Sequence, residues 1–134
     1  MSLKHELQQF SGCDVPIRHG LSPLLCFTDG VDHLRKAGNA YWLVDAIASY
    51  YGQGGRHINK LGDHFAGFHV WTLRSVDEGA VLVAAADTHE PELITQDFEY
   101  TDFPFDSDGE VKLYASRTLI GDEPCWMLML PNEY

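Results

Sequence analysis

The feature that most limits how this chain can fold is a change of hydrophobic period at Gly67. Upstream, apolar residues recur at spacings of three and four: Leu3, Leu7 and Phe10, then Val31 and Leu34, then Ala40, Leu43, Val44, Ile47 and Tyr51. That spacing lays one stripe along an α-helix. Downstream, FHVWTLRSV, AVLVAAAD, LITQDFEYT, VKLYASRTL and PCWMLML read as strands separated by turn residues. Helices followed by strands predict an α+β fold in which N-terminal helices pack on one face of an antiparallel, meander-like sheet of about five strands. With 134 residues and a mass of 15.1 kDa the chain is expected to be one domain over 1–134, mainly helical over 1–66 and mainly stranded over 67–134. A chain of this size buries roughly 68% of its unfolded surface, so it needs no staple to hold a core.

Local chemistry marks the boundaries. Thr28 offers a hydroxyl cap to DGVDHLRKAG, where Asp32 and Lys36 are i,i+4 neighbours. Asn39 is expected to cap the next helix, AYWLVDAIASYY, in which Trp42, Asp45 and Ser49 lie off the apolar stripe. Leu24–Phe27 suits a short strand or an extended lead-in. Five glycines at 52, 54, 55, 62 and 67 predict a loop, with one short helix through Ile58, Leu61 and Phe65. Asp77-Glu78-Gly79 and Gly121-Asp122-Glu123 have the composition of hairpin turns. AVLVAAAD is apolar on both faces, as a central strand should be.

Charge is confined to one place. The net charge is −11, from 20 acidic and 9 basic side chains. Residues 1–76 hold 6 acids and 7 bases, and residues 111–134 hold 3 acids and 2 bases. The excess is therefore carried by 11 acids between Asp77 and Glu110, a stretch without Lys or Arg. Direct nucleic-acid binding and membrane-surface binding need the opposite sign and are not expected. Such a segment keeps a protein soluble, or it docks a basic protein partner. The candidate binding residues are Trp42, Asp97, Glu99, Asp106 and Asp108.

Catalytic signatures are sparse. Among seven histidines no HExxH occurs, and His57, Asp63, His64 and His69 form the only close cluster, so neither a metal nor another cofactor is expected. GQGGRHINK follows a helix and lacks the GxxxxGK[ST] pattern of a phosphate loop. Cys13, Cys26 and Cys125 are odd in number and widely spaced, which predicts buried, reduced thiols. Cys26 in LLCF reads as inert. If the chain is a small hydrolase-like enzyme, its candidates are Asp29, His33, Asp45 and Asp102. No apolar run of signal-peptide or membrane-spanning type is present, and a cytoplasmic location is expected.

The segments FSG at 10–12, FTDGVDHL at 27–34, YWLVDAIA at 41–48, VWTL at 70–73, FEYTDFP at 98–104, LY at 113–114 and LPNEY at 130–134 carry a resemblance. With them the chain resembles a family of small bacterial proteins described as domains of unknown function. The Gly-rich stretch at 52–67 is less similar. The resemblance implies a bacterial source, on a plasmid or other mobile element, and it brings no activity or site residues with it. The function expected is that of a non-catalytic protein-binding or accessory factor. One version is an acidic mimic of nucleic-acid charge, which requires carboxylates in rows at about a phosphate spacing.

Overall fold

A computed structural model describes residues 17–18, 25–51, 68–85, 92–101, 103, 105, 109–120 and 123–131. The expected helices at 3–10 and 58–65, and Gly121 and Asp122 of the second turn, lie outside the described residues. In chain order the elements are β1 (Ile17–Arg18), β2 (Leu25–Phe27), α1 (Asp29–Ala37), α2 (Tyr41–Ser49), β3 (Phe68–Val76), β4 (Gly79–Ala85), β5 (Glu92–Phe98), β6 (Glu110–Ile120) and β7 (Glu123–Met129). The fold class is α+β.

Three details differ from the sequence expectation. The sheet has seven strands, not about five, in the order β1-β2-β7-β6-β3-β4-β5. It is mixed, because β2 pairs parallel with β7, Cys26 opposite Met127 and Phe27 opposite Leu128. The helices do not precede the strands; they are inserted between β2 and β3. The reason is that β2 has only three residues, all buried. Such a run has no readable period, and what makes it a strand is the partner β7, about a hundred residues away.

Nor is the sheet a simple meander. β3, β4 and β5 follow one another, but the chain then passes the tip of the β3–β4 hairpin and returns as β6 on the other side of β3. Backbone hydrogen bonds hold that passage: Thr101 N–H to the Glu78 carbonyl at 3.0 Å and Ser75 N–H to the Gly109 carbonyl at 2.7 Å. The hairpin itself turns through Asp77 and Glu78, with Val76 opposite Gly79. Asp77 takes a positive φ of 54°, a conformation that Asp tolerates better than most residues.

The helix ends follow local rules. Thr28 caps α1, its Oγ1 accepting from Val31 N–H at 3.3 Å. Asn39 does not cap α2, contrary to expectation; α2 begins after Ala40 without a side-chain cap. Asn39 instead sits left-handed, φ 51°, just past the end of α1. Ala40 N–H then reaches the Arg35 carbonyl at 2.8 Å and Asn39 N–H the Lys36 carbonyl at 3.4 Å. That paired closure is a Schellman motif, in which Asn is the common substitute for Gly.

Side-chain alternation sorts the sheet into two faces. One carries the rows Leu113–Trp71–Ala84–Ile94 and Phe27–Leu128–Ala115–His69. Its apolar members join Val31 and Leu34 of α1 and Leu43, Val44, Ile47 and Ala48 of α2 in one core. The other face is also buried at its centre, at Cys26, Val70, Thr72, Val83, Ala85 and Cys125. β4 is accordingly buried on both sides, as its sequence predicts.

Candidate functional site

α2 connects two unlike sites. Its first turn puts Trp42 over Phe98 at the end of β5, ring centroids 4.9 Å apart and planes at 59°. Its last turn puts Tyr50 against Trp71, 5.3 Å between centroids, with the Tyr50 hydroxyl donating to Gln96 Oε1 at 3.0 Å.

At the β5 end, Trp42, Phe98, Tyr100 and Thr101 line an open groove of about 340 Å³. Trp42 and Phe98 are half-buried, whereas Tyr100 is 74% exposed. Thr101 is fixed twice: its N–H is tied to Glu78, and its Oγ1 accepts from Phe103 N–H at 3.1 Å. Glu78 and Glu99 are exposed and stand one hydrogen bond or two residues from this threonine. Asp97 alternates with Phe98 and faces outward from the opposite side of β5, and Asp45 is exposed one turn beyond Trp42 on α2. The faces of aromatic rings carry partial negative charge. Open rings in an acidic part of the chain therefore suit a cation.

At the other end of α2 lies a buried polar chain. Trp71 Nε1–H donates to the Tyr51 hydroxyl at 3.0 Å, and the hydroxyl lies 2.5 Å from His69 Nδ1. The indole can only donate, so the Tyr51 hydroxyl accepts from it and keeps its own proton to give to His69 Nδ1 in the tautomer that leaves that nitrogen bare. The imidazole is stacked on Trp126 at 4.1 Å and 20°. Burial pushes the Tyr51 phenol above its usual range, and the Trp71 bond offsets only part of that rise. These groups are wholly enclosed, and they serve as core.

On the opposite face of the sheet, Cys26 of β2 and Cys125 of β7 form a disulfide, Cα–Cα 6.8 Å, between residues 99 apart in sequence. The expectation of reduced thiols is thereby corrected at two of the three cysteines. Spacing along the chain gave no sign of it, because the parallel pairing of β2 with β7 is what brings the two sulfurs together. Cys13 lies outside the described residues.

The sequence candidates are dispersed. Asp29 opens α1 and is exposed, His33 follows one turn later and is half-buried, and neither they nor Asp45 lines the groove. Asp102, Asp106, Asp108, His57, Asp63 and His64 lie outside the described residues. Among the described residues no three His, Cys, Asp or Glu side chains gather as metal ligands. Of the candidate binding residues, Trp42 lines the groove, and Asp97 and Glu99 bracket Phe98. Phe98, Tyr100 and Thr101 were not singled out. Their signal was a tryptophan off the apolar stripe of α2, which called for an aromatic partner elsewhere.

Among the described residues the carboxylates are spread over a turn, two strand ends and an ion-pair cluster. Arg74 draws Glu92 to 2.6 Å and Glu110 to 3.8 Å, while Asp77 and Glu78 occupy a turn. A nucleic-acid mimic finds no support in that arrangement.

Fold and groove together define a class: an α+β protein on one mixed sheet, with an acid-flanked aromatic groove at the β5 edge. The chain belongs to a family of unknown function, DUF6876, whose model matches residues 1–134. Comparison with curated proteins finds no match, and comparison with solved structures finds none either. No helix among the described residues is long and apolar enough to cross a membrane.

Proposed function

We propose that the protein is a non-catalytic accessory factor that docks a basic protein partner at the β5 edge. The observation that carries this reading is the groove of Trp42, Phe98, Tyr100 and Thr101, set in a part of the chain where Lys and Arg are absent from residue 75 to residue 111. β5 closes one end of the strand order, and no described strand pairs with its outer side. Exposed aromatics with a polar rim are the usual anchors of a protein interface, and charge of one sign steers the partner in. The disulfide bears on the setting, since such bonds persist where reductants are scarce. A cytoplasmic site of action requires the burial of Cys26 and Cys125 to keep thiols away.

Titration of the protein with a fifteen-residue lysine-rich peptide, read by calorimetry at low and at physiological salt, tests the reading. Saturable binding is expected, weakened by salt and abolished by the pair Glu78→Lys and Glu99→Lys. Oligo-glutamate and duplex DNA should not bind. Binding indifferent to the charge reversals, or no binding at all, would sink it.

A further inference from the structure

We infer that the Trp42–Phe98–Tyr100 corner seats a single guanidinium, an arginine side chain of the partner, rather than an apolar side chain. This rests on the docking reading and adds the chemistry of its central contact. Elsewhere the chain shows how its own arginines meet rings. Arg35 lies over Phe27 at 4.6 Å and over Tyr41 at 5.0 Å, and Arg117 lies over Trp126 at 5.7 Å. Among the described residues no such internal cation covers Trp42, Phe98 or Tyr100, whose rings line open space.

The surroundings select the charge. Trp42 and Phe98 already pack against each other, so their shared apolar contact is made within the chain. What the groove leaves to a visitor is the ring surface beside Tyr100 and the hydroxyl-bearing Thr101. Glu99 stands between Phe98 and Tyr100, Glu78 holds Thr101 through its backbone carbonyl, and both are exposed and acidic. A planar guanidinium can lie on an aromatic face while its edge N–H groups point to carboxylates, which an ammonium does less well and an alkyl group not at all.

The corner is tested with two probes, the capped peptide Ac-Gly-Ser-Arg-Ser-Gly-amide and its counterpart with neutral citrulline at the arginine position. The full-length protein is titrated with each, and the indole N–H and tyrosine ring signals are followed by NMR. The arginine peptide should shift the Trp42 and Tyr100 signals saturably, and the citrulline peptide should bind about two- to five-fold more weakly, the scale of an exposed cation–π contact. Tyr100→Ala removes a largely exposed ring and should lower arginine-peptide affinity by a similar factor without altering the fold. It should leave citrulline-peptide binding unchanged. Equal binding of the two peptides, or indifference of the arginine peptide to Tyr100→Ala, overturns the corner. If the lysine-rich peptide still binds in that case, the docking reading stands alone; if it does not, both fall.

Discussion

The two lateral ends of the sheet are built on opposite plans. Toward the β2–β7 end a disulfide joins neighbouring strands, and in the interior of the sheet the chain from Trp71 through Tyr51 to His69 is buried on β3. At the β5 end the rings are half-covered or exposed and the carboxylates face water. α2 belongs to both, Trp42 at one extremity and Tyr51 just past the other. An enclosed region thus holds the helix that presents an open groove.

That contrast predicts where substitutions will hurt. Loss of the Cys26–Cys125 bond should have the largest effect, about 2–4 kcal/mol, because it frees a loop of 99 residues in the unfolded chain. Urea unfolding with and without reductant measures it; an unchanged midpoint would mean the β2–β7 end is not covalently closed. Gly79→Ala would blur the contrast from the other side. A Cβ there would sit 2.0 Å from the Phe98 carbonyl oxygen and 2.7 Å from the Glu99 carbonyl, both backbone atoms. We expect a loss of about 3 kcal/mol, near the top of the range for forced overpacking, with Trp42 signals displaced. A stable variant with an unmoved groove would show that the open end is softer than drawn.

Tyr51→Phe should cost about 2 kcal/mol, since it strands the Trp71 and His69 ring nitrogens in the core. It also has a pH signature. The folded phenol is raised above its unfolded value of about 10, so its contribution is complete below pH 10 and is lost as pH climbs toward the folded value. Alkaline destabilisation should therefore be shallower in Tyr51→Phe than in the parent; matching curves would contradict the enclosed chain. Smallest is Asp32→Asn, about 0.5 kcal/mol, because the partly exposed carboxylate bonds Arg35 at 2.7 Å and Lys36 at 2.8 Å on one helix. Burial there raises the carboxyl pKa, but the Lys36 and Arg35 bonds prevail and hold it below the ordinary range. The contribution is present above the unfolded pKa and vanishes as pH falls through the folded one, so parent and variant should converge in acid.

What could be read beforehand was whatever depends on near neighbours. The Thr28 cap, the Asp32–Lys36 pair, the strands after Gly67 and the Asp77-Glu78 turn all involve residues within a few positions of one another. What escaped depends on distant pairing. β2, read as a short strand or an extended lead-in, is too short for a period to decide between the two, the disulfide needs β7 beside it, and the return of β6 past β3 is held by Thr101 and Ser75 backbone bonds that no side chain announces. Asn39 shows a subtler limit, for the residue type that caps a following helix also closes a preceding one. The groove was half legible: Trp42 and the acids of β5 stood out, whereas Phe98 and Tyr100 looked like ordinary members of an alternating strand.

The parallel seat of β2 on β7 also imposes an order of events during synthesis. When Leu25–Phe27 is translated, the residues it will pair with are about a hundred positions from being made, roughly 5–20 s at common elongation rates. β3 to β6 can zip together in that interval, each beside a partner already made. On that side β2 must wait, and the last strand translated is the one it lands on.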